Sequence, residues 1–251
     1  MKKLKIIIGY VFLISFLFAS NSYASGATAS GKTVANLTRE VRYLLNETDS
    51  STTGFWKDPE IEAWINDAVR NVVARTHVLS SVTEFPLDSG VSEYRMSESY
   101  VTVRGVLYQT GVTTFKGLQR GSKAAVGNIG DAYEDPRHSY ETKSKTGVGI
   151  YPLIDSDDNT VTGNTIYVSY TPMQATLSST DSIPTPASFD RHIVYYAAGQ
   201  GFIKDNKLKR AELVLSQYQK ELDRFRVDLY DWEQSIWDFI WPGQGQRTQK
   251  R

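Results

Sequence analysis

The sequence predicts an α+β fold: a helical bundle with a long C-terminal helix, interrupted by an inserted antiparallel β region. Three observations carry that prediction. Two distant segments, FWKDPEIEAWINDAVRNVVART (Phe55 to Thr76) and IPTPASFDRHIVYYAAGQGFIKDN (Ile183 to Asn206), each open with helix-start residues and run with helical periodicity. Between them, from Ser80 to Ser182, the apolar period drops from 3.6 to about 2. After them, Leu208, Ala211, Leu215, Tyr218, Leu222, Phe225, Leu229, Trp232 and Ile236 alternate spacings of three and four. Such a seam predicts one helix about 45 Å long, at 1.5 Å per residue, packed along its length against other helices.

Composition bounds the rest. A chain of 251 residues with 40% hydrophobic and 12% aromatic content can bury a substantial core. Its 28 basic and 28 acidic residues cancel, so no global field draws it to nucleic acid or anionic lipid. Cysteine is absent, which excludes disulfides, thiol catalysis, Cys-based metal centres and a lipoprotein anchor.

Residues 1–24 have the anatomy of a secretory leader. Lys2, Lys3 and Lys5 precede an apolar run from Ile6 to Phe18, and Ser22-Tyr23-Ala24 places small residues around a cleavage point. The run is too short for a comfortable membrane span, which needs about 20 apolar residues. A misassigned start is the competing explanation. Residues 25–36 read as a flexible linker, within which Gly26 to Thr33 (GATASGKT) satisfies the phosphate-loop pattern G-x-x-x-x-G-K-[ST]. A phosphate loop must leave a buried strand directly, and polar Ser20-Asn21-Ser22 intervenes here. Nucleotide binding is therefore disfavoured.

The bundle begins with residues 37–79. Leu37, Val41, Leu44 and Leu45 share a helical face, with Thr38 as candidate cap and Asp49-Ser50-Ser51 as terminator. In the second helix Asp58 is the candidate cap, Pro59 sits at the start, and Glu60 and Glu62 suit the positive end of the helix dipole. Ile61, Trp64, Ile65, Ala68, Val69, Val72, Val73, Thr76 and Leu79 trace its apolar stripe.

Residues 80–182 form the β insertion. Val82 to Leu87, Tyr94 to Met96, Tyr100 to Gln109 and Thr165 to Tyr170 are its predicted strands, and glycine-rich Gly117 to Asp131 is a predicted loop. The bundle resumes over residues 183–236. Thr185 is the candidate cap, Pro186 occupies the first turn, and Phe189, Ile193, Tyr196, Ala197 and Phe202 supply an apolar face. Ala198, Gly199 and Gly201 permit close approach of a neighbour. The expected bundle-packing residues are Trp64, Ile65, Val69, Phe189, Ile193, Leu215, Leu222 and Phe225. Residues 237–251 form a tail, aromatic at Trp237, Phe239, Ile240 and Trp241, then polar and basic.

The order of these blocks resembles the head–tail adaptor (connector) proteins of tailed bacteriophages. The resemblance covers roughly Leu37 to Trp232 and rests on Phe55-Trp56, Asp58, Glu60, Trp64-Ile65-Asn66 and Ala68 in the first block. In the second it rests on Pro186, Phe189, Ile193-Val194, Tyr196-Ala197-Ala198 and the Lys204-Asp205 turn. It implies a structural protein of the virion neck, without enzymatic activity or cofactor, that forms a ring of about a dozen subunits beneath the portal protein. Such a ring extends the channel for double-stranded DNA, without sequence-specific contact, and offers a platform to a tail or second neck protein. The resemblance also implies that a C-terminal segment reaches the portal, which assigns Trp237, Phe239, Ile240 and Trp241 to that interface. The secretory leader departs from this pattern, since virions assemble in the cytoplasm.

Other chemistry is weakly signalled. His77, His138 and His192 lack metal-ligand spacing. Asp155-Ser156-Asp157-Asp158-Asn159 imitates a calcium loop but lacks the glycine and glutamate that complete one. No Ser-His-Asp or HExxH pattern frames the carboxylates. Two alternatives remain: an exported periplasmic α+β binding protein, from the leader, and a phosphate-loop NTPase, from Gly26 to Thr33.

Overall fold

The structure is a computed structural model, and it describes residues 29–47, 54–88, 91, 93–109, 115–121, 139–151 and 164–240. The fold is mixed α+β, in two compact units. One holds Leu79–Met173, and the other combines Ala27–Val78 with Gln174–Arg251.

Four helices build the second unit: α1 (Val34–Leu45), α2 (Asp58–Thr76), α3 (Asp190–Lys204) and α4 (Leu208–Ile240), with a 3-10 turn at Ala187–Phe189. Helix α3 packs against the other three, and α4 also meets α2. Close packing around α3 follows from its small residues. Leu215 of α4 lies where a β-carbon on Gly199 would fall, 2.7 Å away, and Leu45 of α1 stands 2.8 Å from the same point on Gly201. Ile61, Ile65, Ala68, Val69, Val72, Val73, Ile193, Ala197 and Leu222 are sealed in the resulting core.

Helix ends differ from the sequence-based expectation. Thr33, not Thr38, caps α1, its Oγ1 accepting from Asn36 N–H. Thr38 lies one turn inside and donates to the Val34 carbonyl. Residues 29–33, expected as linker, instead form a strap. Ala29 bridges Pro186, Thr33 bridges Ser182, and Val34 N–H donates to Asp181 O. That pairing directs the chain into the helix three residues early. In α2 the cap position is Lys57, and Asp58 stands at the first helical position with Pro59 behind it. Thr185 makes no cap: its Oγ1 is buried without a hydrogen-bond partner, because the 3-10 turn separates it from α3. Three helices end on left-handed residues, Asn46 (φ 60°), His77 (φ 52°) and Asn206 (φ 56°). Asn46 and Asn206 each close a double turn, with Glu47 N–H reaching Arg42 O and Lys207 N–H reaching Phe202 O.

Among the described residues the β unit has seven strands: β1 (Ser81–Pro86), β2 (Glu93–Arg95), β3 (Tyr100–Gln109), β4 (Phe115–Arg120), β5 (Ser139–Thr142), β6 (Gly147–Tyr151) and β7 (Thr165–Pro172). Their spatial order is β1-β7-β3-β4-β5-β6-β2. All neighbours are antiparallel except β4 and β5, which pair in parallel through Gln119↔Ser139 and Arg120↔Tyr140. The predicted loop from Gly117 thus begins as strand, and Leu118 is one of its buried residues. Although β1 and β2 lie at opposite edges, the rings of Phe85 and Tyr94 are 5.6 Å apart. A flat seven-stranded sheet would hold its edges roughly 29 Å apart at 4.8 Å per strand. The sheet therefore curls until its edges meet through side chains.

One face fills the curl, with Tyr94, Tyr100, Val103, Val106, Tyr108, Tyr140, Val148, Ile150, Ile166, Val168 and Tyr170 buried. Strict alternation along β3 would turn Arg104 inward with Tyr100 and Val106. Two bulges, at Tyr100/Thr102 and Val103/Gly105, shift the register twice. Val103 then enters the core, while Arg104 stays half-buried and bonds Thr171 Oγ1. Buried phenols find partners as they must: Tyr170 donates to Glu98 at 2.6 Å, Tyr108 accepts from Asn164 at 2.8 Å, and Tyr100 donates to the Ser144 carbonyl.

Candidate protein-interaction surface

At one end of the helical unit the turns after α1 and α3 lie side by side. Arg42 organises this hairpin end. Its guanidinium is 3% exposed and donates through Nε and Nη2 to Asp58 Oδ1, at 2.8 and 2.6 Å, and through Nη2 to the Trp56 carbonyl. Glu47 stands 3.9 Å from Arg42 Nη1 and accepts from the backbone N–H groups of Phe55 and Trp56. A buried cation is tolerated because carboxylate and carbonyl oxygens replace its water. The indole of Trp56 donates to Gly201 O, and Lys204 pairs with Glu60 at 2.5 Å, tying α2 to the end of α3. Farther along, Asn66 clasps the returning chain, with Nδ2 donating to Leu177 O and Oδ1 accepting from Leu177 N–H.

Nearly every residue of the FW-x-D-x-E-x-x-x-WIN block therefore has an internal task. Phe55 differs. Its ring is 54% exposed, edge-on to Trp56, with the Lys204 ammonium 5.0 Å from its centroid. Around the same end Tyr43, Leu44, Ile203 and Leu208 are also exposed, between 39% and 76%. A group of large apolar side chains held out by a hydrogen-bonded base is a candidate protein-interaction surface. Just beyond α3, Lys207 pairs with Asp205, while exposed Lys209 and Arg210 have no ion-pair partner among the described residues.

The opposite end is closed by the strap. Ser30 Oγ donates to Asp190 Oδ2 at 2.8 Å and Ser30 N–H to Thr185 O. Lys32, the lysine of the phosphate-loop pattern, bonds Glu40 at 2.6 Å and lies 3.9 Å from Asp190. The bond to Glu40 holds its ammonium above the ordinary lysine value, against a smaller effect of burial. Burial raises the Asp190 carboxyl, partly offset by the Ser30 bond and the Lys32 charge. Among the described residues, Ala29 is bridged to Pro186 and Thr33 to Ser182. Residues 26–28 of the pattern lie outside the described residues, as does the leader.

Of the expected packing residues, Ile65, Val69, Phe189, Ile193 and Leu222 are buried, while Trp64, Leu215 and Phe225 are half-buried. Phe225 meets Phe189 at 4.4 Å between ring centres. Leu208, expected at the start of the seam, is 59% exposed because α4 begins beyond the end of α3. Trp237, Phe239 and Ile240 belong to the backbone of α4, and Trp241 lies outside the described residues. His192 packs edge-on between Phe189 and Phe225, and burial lowers its pKa. His138 and Asp155 to Asn159 lie outside the described residues. Among the described residues no three His, Asp or Glu side chains converge, and no helix is long and apolar enough to cross a membrane.

Sequence reasoning missed Arg42. The available signal was an arginine beside the apolar stripe of a short helix, with acidic residues following within one turn of the next. No curated protein matches the chain. A family model does, over residues 32–236, so it takes in the strap lysine, both hairpins, the β insertion and most of α4: the chain belongs to the SU10 adaptor protein family, the adaptors of phage virions, which engage other virion proteins such as portal or tail.

Proposed function

We propose that the chain acts structurally in the virion neck, forming a ring of about a dozen copies beneath the portal that extends the DNA channel and receives the tail. The observation that carries this reading is the overshoot of α4. The helix starts beside the end of α3 and runs back along it, and Phe225 already meets Phe189, just before the start of α3. It then continues to Ile240, about 22 Å farther at 1.5 Å per residue. A helical arm of that length, carrying Trp237, Phe239 and Ile240 with Trp241 next in the sequence, suits attachment to a neighbouring virion protein. Aromatic anchors carry a large share of interface energy, and each copy of a ring repeats the contact. In this reading the portal is the partner of the arm, DNA passes without sequence-specific contact, and no reaction is catalysed.

Deleting residues 237–251 tests it. The expected outcome is an unchanged melting temperature with loss of co-sedimentation with portal-bearing heads. Retained head binding by a normally folded truncation would defeat the anchoring role.

A further inference from the structure

We propose that the outward face of the first half of α4 is a phosphate-contacting surface for double-stranded DNA. This deepens the ring reading above, on which it rests, by naming the face of each copy that borders the channel. Between Leu208 and Arg226 the helix buries Ala211, Tyr218 and Leu222 and turns Lys209, Leu213, Ser216, Gln217, Lys220 and Arg224 into solvent. These exposed positions fall at i, i+4, i+7, i+8, i+11 and i+15, so they form one stripe about 22 Å long. Glu212 and Asp223 stand at its margin, and Asp223 accepts from Gln219 Nε2.

The cations of this face are set apart from the rest of the helical unit. Its other described lysines and arginines are engaged in ion pairs or hydrogen bonds, from Lys32 with Glu40 to Lys207 with Asp205. The side chains of Lys209, Arg210, Lys220, Arg224 and Arg226 make no ion pair and no hydrogen bond among the described residues. In a chain whose net charge is zero, their charge is thus a local field left open to a partner. A protein fits this face poorly, because the centre of a protein interface is rich in aromatic residues and depleted in lysine, and Leu213 is the stripe's one large apolar side chain. A DNA backbone fits it well. Lysine, arginine, serine and glutamine are side chains that hold phosphate oxygens without reading sequence, and lysine does so as a point charge on a flexible stem. Such contacts let a duplex slide past.

The test titrates full-length protein into a short fluorescein-labelled DNA duplex, followed by anisotropy over a series of sodium chloride concentrations. Binding is expected to be indifferent to sequence and to weaken as salt rises, because each neutralised phosphate releases counterions. Lys209→Gln/Lys220→Gln/Arg224→Gln should weaken it at least tenfold and flatten the slope of log affinity against log salt by about one for each cation that meets a phosphate. Arg39→Gln, at an exposed cation of α1, should leave affinity and slope unchanged. The substituted positions are exposed and glutamine is a good helix former, so the fold is kept, and thermal melting checks it. No binding by the wild-type protein, or an unchanged slope in the triple variant, overturns the proposal. So does a triple variant that no longer co-sediments with portal-bearing heads yet keeps its DNA slope, which assigns the stripe to an acidic protein instead. Electron microscopy separates the proposal from the ring reading. Rings that ignore DNA remove the stripe's role and leave the ring, whereas stripe-dependent DNA binding by protein that never closes into rings removes the ring and leaves the stripe.

Discussion

The two ends of the helical unit solve opposite problems. At the hairpin end the polar groups of Arg42, Asp58, Glu47, Glu60 and Lys204 are paired, while Phe55 and its apolar neighbours face outward. At the strap end the apolar groups are covered, with Val34, Ile183 and Phe189 each at most 2% exposed, yet Asp190 Oδ1 and Thr185 Oγ1 are buried without partners. Burying an unpaired polar atom costs stability, whereas leaving a phenylalanine in water forgoes it. The contrast separates an end whose apolar groups are covered within the chain, at some energetic cost, from one whose polar base is paired while its apolar groups stay in water. A paired base matters because a preorganised surface loses less freedom on docking.

Substitutions can break or sharpen this contrast. The largest effect is expected for Arg42→Ala, which strips a buried cation from Asp58 and the Trp56 carbonyl; denaturant titration should show a loss of about 3 kcal/mol. A loss below about 1 kcal/mol would mean the hairpin end is not held by this network. Next, Ser30→Ala removes the hydroxyl that donates to Asp190 and should cost about 2 kcal/mol. If stability were unchanged, the strap would be an accessory and not the lid of that end. Smallest is Lys32→Ala. Its ion pair with Glu40 is over 40% exposed on both sides, so the loss should be about 0.5 kcal/mol, with no change in affinity for added ATP. A measurable ATP affinity abolished by this substitution would restore the phosphate-loop reading.

Much of the fold was legible, and the failures have physical causes. The helical seam from Ala211 to Phe225 and the stripe from Ile61 to Val73 are long, periodic signals, which tertiary context rarely overturns. Caps were misplaced because they depend on the direction from which the chain enters. Thr33 beats Thr38 only because Ser182 and Asp181 hold the strap alongside. Strands β4 and β6 escaped notice since glycines at 117, 147 and 149 blunt the alternation, β5 is short, and β6 pairs on one side with β2, far back in the chain. Trp64 belongs to the stripe by period but sits at its margin, half-buried, so its position on the helix did not fix its depth. The interaction surface was half visible. Phe55 stood in the recognised motif, but only the structure reveals that Trp56, Asp58, Glu60 and Asn66 are bonded within the chain while most of Phe55 stays exposed.

The pairing of β1 with β7 governs the order in which this chain can fold. The two strands run in unbroken register from Ser81↔Tyr170 to Pro86↔Thr165, and between them they bracket the whole insertion. Before they zip together, bringing α2 and α3 into contact means closing a loop of about 110 residues, an entropic barrier that grows with the logarithm of loop length. Once zipped, the ends of the insertion are neighbours and the closure is nearly complete. Helices with strong local signals would thus wait on a non-local strand pair, and the bundle should assemble at the pace of that pairing.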